Sequence, residues 1–226
     1  MLGTVRKDGN ISVHDSVYKN LRDKILYGFL RPGESLTLRS LASEFKTSMT
    51  PVRDSVRRLT AEGALKISLS GRITIPDLTI ERFNELLSIR SIIESELAFK
   101  ALPRAHTALI DRLESINLDM EMFARSFEAM EYIRANMEFH RSLYLRAQSP
   151  IMLSILENVW LQLGPTFKHA LGENWNIVEK SEHKNILSAL NNQDSSELIF
   201  LIKKDLSLIH ISEPTRPERI SYAVFC

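Results

Sequence analysis

Apolar residues recur at helical spacing in two short segments near the start of the chain. The first segment covers residues 14–28, and Gly28 provides a C-terminal stop. A Pro32-Gly33 turn follows, and Thr37 is then the predicted N-cap of a second helix. The apolar faces of the two helices are formed by Val17, Leu21, Ile25, Leu26, Leu38, Leu41, Ala42 and Phe45. The pattern therefore predicts two helices joined by a turn.

A third helix is predicted directly after the second. Thr47 or Ser48 can cap it, and Pro51 is acceptable in its first turn. Two short β-prone runs then flank Ser70-Gly71, which is typical of a hairpin. Because a tight turn separates the second and third helices, the pattern predicts a winged helix-turn-helix over residues 10–78.

From Thr79 onward the pattern changes to long helical segments, and no strand is predicted after residue 75. Thr79 is the predicted N-cap of the first of these helices, which ends at Pro103. Further helices are predicted at 106–124, 127–147, 150–171, 176–190 and 194–206. The predicted fold class is mainly α, with an N-terminal winged helix-turn-helix followed by an all-α helical bundle over residues 79–206.

Composition places the chain among ordinary globular proteins. Its 226 residues are 44% hydrophobic and 25% charged, which is enough for two modest domains with real cores. The apolar stretches are shorter than the roughly 20 residues that span a bilayer, and the start of the chain lacks an apolar signal core. We therefore expect a cytoplasmic protein without membrane contact. Cys226 is the single cysteine, so any metal would need His, Asp, Glu or Asn ligands.

The charge is distributed unevenly along the chain. Residues 1–80 contain 13 Lys or Arg and 8 Asp or Glu, whereas residues 81–226 contain 16 and 20. The net charges of the two parts are therefore +5 and −4, within a total of +1. A basic N-terminal part suggests contact with a polyanion, although a solvated surface would give the same count.

The first turn of the third helix carries side chains suited to DNA. Ser48 and Thr50 are small hydrogen-bond donors, and Arg53 is a long bidentate cation beside them. Phosphate anchoring and guanine recognition require this combination, whereas the start of a buried helix does not. The third helix is thus predicted to be a DNA recognition helix.

Polar residues interrupt the apolar faces of three helices in the C-terminal part. Asn136 and His140 lie four residues apart and can point at the same atom. His183 and Asp205 come from two further helices. Each residue alone has an ordinary surface or core explanation. Together they supply imidazole nitrogens and side-chain oxygens, the ligand mix suited to zinc, nickel or manganese in a bundle core.

The segment "LYGFLRPGESLTLRSLASEFKTSMTPVRDSVRRLTAEGAL" resembles the DNA-binding domain of GntR-type bacterial transcription regulators, and the match covers about residues 14–78. Its most specific motif is the "TPVR" of residues 50–53. Met49 stands where the family usually has an arginine, and Arg58 is expected to face solvent. The resemblance implies DNA contacts by Arg39, Ser48, Met49, Thr50, Arg53, Arg57, Gly71 and Arg72.

Residues 80–206 resemble the helical effector domain, called FCD, of the FadR-like branch of that family. The similarity includes the Arg90 and Glu94 pair and the motifs "NMEFH" and "EHKNILSALNNQD". It implies an effector site, for an organic acid, that includes Arg90, Asn136, His140 and His183. Metal-binding members use one Asp and three His, and these positions fall on Asn136, His140, His183 and Asp205. His210 is a substitute fourth ligand, although it lies off the helical face of Asp205.

Two interpretations of Arg90 remain open. It can form an i,i+4 surface pair with Glu94, worth a few tenths of a kcal/mol. Alternatively, as the resemblance implies, it can orient a carboxylate effector or a metal ligand. Residues 207–226 lose the helical period, and we treat them as an atypical tail of foreign or out-of-frame origin without an assigned function.

The resulting functional hypothesis is a DNA-binding transcription regulator and not an enzyme. It would bind two-fold operator DNA as a homodimer, and a small organic acid, with or without a divalent metal, would control operator affinity. Repression relieved by ligand is the commoner sense in the family. The alternative is a metal-dependent helical-bundle enzyme with an incidental basic domain, but the sequence lacks HExxH, paired ExxH, nucleophile-elbow and phosphate-loop motifs. A helical oligomerisation adaptor would leave the recognition helix unexplained.

Overall fold

The computed structural model describes residues 12–171 and 182–207. Within these ranges the chain forms helices connected by short turns, together with one small sheet. The helices are α1 (Val13–Leu26), α2 (Leu38–Glu44), α3 (Met49–Ala61), α4 (Ile80–Ala101), α5 (Thr107–Arg125), α6 (Ala129–Tyr144), α7 (Pro150–Leu171), α8 (His183–Asn191) and α9 (Ser195–Ser207). The strands are β1 (Ser35–Leu36), β2 (Lys66–Ile67) and β3 (Ile73–Thr74), and short 3-10 turns lie at Leu102–Arg104 and Leu145–Ala147.

The N-terminal helices follow the predicted pattern closely. Thr37 caps α2, since its side chain accepts a hydrogen bond from the Ser40 amide at 3.0 Å. Ser48 is the N-cap residue of α3, but its side chain makes no capping hydrogen bond with the described part of the chain. The apolar faces of α1, α2 and α3 are buried against one another. The predicted winged helix-turn-helix is therefore confirmed.

The sheet contains one strand more than the predicted hairpin. Its order is β1-β3-β2, and both pairings are antiparallel. Ser35 of β1 pairs with Thr74 of β3, which pairs on its other side with Lys66 of β2. β1 has only two residues, too few to show a strand period, and its pairing with β3 is a long-range contact. At the wing, Gly71 has a φ of +81°, a conformation that favours glycine.

The C-terminal helices form the predicted bundle. Thr79 caps α4 by accepting from the Arg82 amide at 3.3 Å. α7 continues through Pro165 as one helix. The helix predicted at 176–190 is described only from residue 182 onward, and the predicted tail with His210 lies outside the described residues. Within the described ranges, the helices lack the combined length and apolarity needed to cross a membrane.

The two parts of the chain share one continuous hydrophobic core, which extends from α1 and α3 into the helical bundle. Gly164 of α7 lies directly against the end of α1, because a Cβ atom there would approach the Leu26 carbonyl oxygen to 2.2 Å. Nearby, the Gln162 side chain donates to the Glu62 carbonyl at 3.2 Å and accepts from Arg82 at 2.8 Å. α7 is thus docked against the C-terminal ends of α1 and of the predicted recognition helix.

Candidate nucleic-acid interface and candidate metal centre

The exposed surface of α3 carries the predicted DNA contacts. Ser48, Thr50 and Arg53 are exposed at the N-terminal turn, and Arg57 is exposed one turn later. The first turn contains no acidic residue, so nothing on it opposes the attraction of the helix N-terminus for phosphate. Among the described residues, the exposed cationic side chains without a hydrogen bond or ion pair include those of Arg39, Arg53, Arg57 and Arg72.

Arg58 behaves differently from these arginines. Its guanidinium carbon lies 3.6 Å from the centre of the Tyr18 ring, and its Nε lies 3.2 Å from Glu62 Oε1. Tyr18 donates its hydroxyl to the same carboxylate at 2.7 Å, and burial together with Glu62 raises the pKa of Tyr18 to about 12. The Arg58 side chain is still 58% exposed, as the solvent-facing prediction expected. These contacts hold α1 to the C-terminal end of α3.

The wing and the start of α3 also expose residues that can touch DNA. Gly71 and Arg72 are exposed at the tip of the turn between β2 and β3. Met49, the first residue of α3, is 47% exposed. An exposed apolar side chain at this position can contact a thymine methyl group but cannot replace the ionic contact of an arginine.

The four predicted metal ligands come together in the bundle. His183 Nε2 of α8 lies 3.1 Å from Asn136 Oδ1 and 3.3 Å from His140 Nε2, both on α6. Asp205 Oδ2 of α9 lies 3.3 Å from His140 Nε2 and 3.9 Å from His183 Nε2. The ligand atoms of the two histidines and Asp205 all lie within 4.8 Å of one another. Three helices therefore bring together two imidazole nitrogens and the Asp205 carboxylate, with the Asn136 amide oxygen next to His183.

The electrostatic environment keeps His183 and Asp205 in the forms that bind metals. Burial lowers the pKa of His183 to about 4, against the opposing effect of Asp205. Burial alone would raise the pKa of Asp205, but His183 and His140 together hold it below its ordinary value. Near neutral pH the site thus offers a neutral His183 imidazole and an ionised Asp205 carboxylate, as metal coordination requires.

Neighbouring groups orient two of the candidate ligands. The Glu182 amide donates to Asp205 Oδ1 at 3.1 Å, which leaves Oδ2 facing the histidines. The Tyr144 hydroxyl lies 3.3 Å from His140 Nδ1, on the side of the ring away from Asp205. Neither Glu182 nor Tyr144 is predicted as a site residue from the sequence. The only available signal was the i,i+4 spacing of Tyr144 from His140.

Arg90 and Glu94 lie inside the bundle, so the surface-pair interpretation is wrong. Their side chains are 6% and 0% exposed, and Arg90 Nε donates to Glu94 Oε1. Glu94 also accepts from Trp160 Nε1 at 2.9 Å and from the Tyr144 hydroxyl at 2.7 Å. The Arg90 guanidinium carbon lies 5.2 Å from the centre of the Phe167 ring. Within the described chain, the two terminal nitrogens of Arg90 donate no hydrogen bond.

The donor set fits a divalent metal. Metal bonds of about 2.0–2.2 Å place neighbouring ligand atoms about 3.0–3.5 Å apart. Three of the four separations given above, those of 3.1, 3.3 and 3.3 Å, fall in this range. A nitrogen and oxygen set with one carboxylate suits Zn²⁺, Ni²⁺ or Mn²⁺. The amide of Asn136 adds no charge, so this set attracts a cation less strongly than one with a second carboxylate.

Comparison with known proteins assigns each part of the chain to a described family. Residues 14–74 match the family described as "Bacterial regulatory proteins, gntR family". Residues 85–203 match the family described as "FCD domain". The two matched segments coincide with the helix-turn-helix and with the bundle that holds the histidine cluster.

The similarity to individual proteins extends over most of the chain. The HTH-type transcriptional regulator McbR of Escherichia coli is 26% identical over 77% of this chain and 78% of its own length. The gluconate operon transcriptional repressor of Bacillus subtilis is 23% identical over 77% and 70% of the two chains. The solved structure of E. coli McbR/YncC has a TM-score of 0.81 at 21% identity, covering 89% of this chain and 99% of its own. That likeness shows a common fold.

Proposed function

The chain belongs to the GntR family of bacterial transcription regulators with a C-terminal FCD domain, and from this we propose how it recognises DNA and how it is controlled. Residues 10–78 bind operator DNA through α3 and the wing. Residues 79–206 bind a small organic acid together with a divalent metal and set operator affinity. The protein acts in the bacterial cytoplasm, and its family membership makes it a regulator rather than an enzyme.

The main support for this proposal is that Asn136, His140, His183 and Asp205 lie close together inside the bundle. The hydrophobic core of the bundle continues into the DNA-binding part, so a ligand bound there can affect that part. A divalent ion there would be held by two imidazole nitrogens, the Asn136 amide oxygen and the Asp205 carboxylate. With one ligand charge, the ion retains a net positive charge. It would then supply Lewis-acid binding for an anionic group.

Arg90 supports an acidic effector. Its guanidinium is buried, Glu94 occupies its Nε, and its terminal nitrogens donate no hydrogen bond to the described residues. A buried, planar guanidinium whose two terminal nitrogens can both donate is suited to a bidentate contact with a carboxylate. The effector is therefore an organic acid whose carboxylate is recognised by the metal, by Arg90 or by both.

DNA recognition is proposed to be two-fold. One winged helix reads a single half-site, so a homodimer presents two copies of α3 to a palindromic operator. Ser48 and Thr50 contact phosphates, and Arg53 reads a guanine. Met49 replaces an ionic contact with an apolar one and favours a thymine at its position. Arg39, Arg57, Gly71 and Arg72 complete the contact surface.

The effector acts by a population shift. α7 carries Trp160, which bonds to Glu94 beside the metal centre, and Gln162, which bonds to the end of α3. A ligand that prefers one arrangement of the two domains changes operator affinity by its difference in binding free energy. By analogy with the B. subtilis gluconate operon transcriptional repressor, we propose that the protein represses transcription. We further propose that its ligand relieves repression.

The test begins with selection of bound sequences from a random duplex library. Operator affinity is then measured at several salt concentrations, with and without Zn²⁺, Ni²⁺ or Mn²⁺ and a panel of organic acids. We expect a palindromic site, a steep salt dependence and at least one metal and acid combination that changes affinity. A protein that binds all duplexes equally would contradict specific recognition. An operator affinity unaffected by every ligand would contradict control by the bundle.

A further inference from the structure

A second polar group lies beside the candidate metal centre. It consists of Arg90, Glu94, Tyr144 and Trp160, contributed by α4, α6 and α7. Each of these residues is at most 5% exposed, so their hydrogen bonds form without competition from bulk water. The group reaches the candidate metal centre through Tyr144, whose hydroxyl lies 3.3 Å from His140 Nδ1.

The directions of these hydrogen bonds follow from the chemistry of the groups. Arg90 and Trp160 have only donors, so Glu94 Oε1 must accept from both. The Tyr144 hydroxyl donates its single hydrogen to Glu94 Oε2 at 2.7 Å. Its oxygen can then act only as an acceptor toward His140. The hydrogen bond between Tyr144 and His140 therefore requires a proton on Nδ1 of the imidazole.

The other nitrogen of the same ring faces the candidate metal ligands. His140 Nε2 lies 3.3 Å from both Asp205 Oδ2 and His183 Nε2. A neutral imidazole with its proton on Nδ1 presents a lone pair at Nε2, which is the form that binds a metal. In the metal-free protein Nε2 can donate a hydrogen bond to Asp205 Oδ2, and a bound metal would replace that proton while Nδ1 keeps its own toward Tyr144.

We propose that Tyr144, oriented by Glu94, is a positioning residue that keeps the proton of His140 on Nδ1 and thereby makes Nε2 the metal-binding atom. This inference rests on the proposed metal site and deepens it. Arg90 and Trp160 act indirectly, through Glu94. They occupy Glu94 Oε1 and so leave Oε2 for Tyr144.

Two variants of the full-length chain separate this role from simple packing. Tyr144→Phe removes the hydroxyl and keeps the ring. Glu94→Gln keeps both the hydroxyl and the shape of the glutamate side chain. Its amide oxygen is held by Arg90 and Trp160, so its NH₂ faces Tyr144, and Tyr144 must then donate to His140. The proton of His140 moves to Nε2, where it competes with the metal. Tyr132→Phe, at another buried tyrosine of α6, is the matched control.

The first measurement is the Kd of Zn²⁺ for each variant, from competition with a chromogenic chelator. We expect Tyr144→Phe to weaken zinc binding about 10- to 100-fold, as is usual for a residue that orients a metal ligand. Glu94→Gln should weaken it at least as much, although it removes no hydroxyl. Tyr132→Phe should remain within about 2-fold of the wild type.

The second measurement does not depend on any variant. Long-range proton-nitrogen correlation spectra of ¹⁵N-histidine-labelled, zinc-loaded wild-type protein report which nitrogen of His140 carries the proton. A proton on Nδ1 is expected, and a proton on Nε2 would overturn the inference. Wild-type zinc affinity in both Tyr144→Phe and Glu94→Gln would overturn it as well, while the metal site itself would stand. If the wild type binds no zinc, the metal site of the proposed function fails first and the inference fails with it.

Discussion

The proposed recognition surface of α3 and the polar cluster of the bundle differ in whether their polar side chains have partners within the protein. Arg53 and Arg57 are exposed and, within the described chain, have no protein partner, so they remain free for a ligand of opposite charge. His140 and Asp205 are almost fully buried. Both ring nitrogens of His140 and both carboxylate oxygens of Asp205 lie next to a polar group of the protein. A surface site can keep its polar groups without protein partners in the free protein, because water satisfies them. A buried site must satisfy them through a cation or through each other.

The largest expected effect concerns the buried site. His140→Ala and His183→Ala should each weaken metal binding by more than about 100-fold, because each removes a ligand atom rather than a group that orients one. Metal content and Kd measured on purified protein test this, with His106→Ala as the matched control, since His106 lies at the start of α5 outside the cluster. If both variants keep wild-type metal affinity and wild-type response to every carboxylate tested, the histidines are ordinary core residues.

A substitution where α7 contacts the end of α1 should have the next largest effect, which is on stability. Gly164→Ala places a Cβ 2.2 Å from the Leu26 carbonyl oxygen, so α7 and α1 must move apart. Overpacking of this kind destabilises by about 1–3 kcal/mol. Denaturant unfolding measures the change, and Ser154→Ala on the exposed side of α7 is the control. Equal stability of the two variants would show that the two regions are not packed as described.

Substitutions on the proposed recognition surface of α3 should change both the affinity for operator DNA and the base preference. Arg53→Ala should reduce operator affinity by about 1–3 kcal/mol and relax the base preference at one position of each half-site. Arg58→Ala should change operator affinity much less, because Arg58 is held by Tyr18 and Glu62. Binding to an operator and to a set of single-base variants measures both effects. Comparable, sequence-independent losses in the two variants would indicate a general electrostatic surface.

The buried site should also make stability depend on pH. His183 has a pKa of about 4 in the folded protein and an ordinary value of 6.5. As pH falls from about 6.5 to about 4, the unfolded chain takes up a proton that the folded chain does not. The unfolding free energy of the metal-free protein should therefore decrease by up to about 1 kcal/mol per pH unit. Denaturant titrations at pH 7, 5.5 and 4.5 test this, and His183→Gln should show a shallower slope. Identical slopes would contradict it.

The smallest expected effect belongs to Met49. Met49→Ala should reduce the preference for thymine at one operator position by less than about 1 kcal/mol, because an apolar contact with a methyl group is weaker than a bidentate hydrogen bond. Met49→Arg should replace that preference by a stronger one for guanine. Selection of bound sequences by each variant provides the measurement. Unchanged base preference in both variants would place Met49 away from the bases.

The helices and the exposed, cationic face of α3 could be predicted from the sequence alone. The apolar period fixed α1, α2 and α3 to within a residue or two, since local side-chain spacing and capping residues such as Thr37 decide where a helix begins. The exposure of Arg53 followed from the same period. The four candidate metal ligands were also identified, through residue type and resemblance, before their proximity was known.

The way these elements meet depends on tertiary packing. β1 forms because β3 lies beside it, and nothing within its two residues signals that pairing. Arg90 and Glu94 have the spacing of a surface pair, yet the packing of α4 against α7 and α9 buries them with Trp160 and Tyr144. Trp160 of α7 reaches Glu94 from 66 positions away in sequence, and the Glu182 amide, at the N-cap of α8, reaches Asp205 from 23 positions away. Burial and long-range hydrogen bonds depend on the packing of several helices at once, and a local sequence pattern does not contain that information.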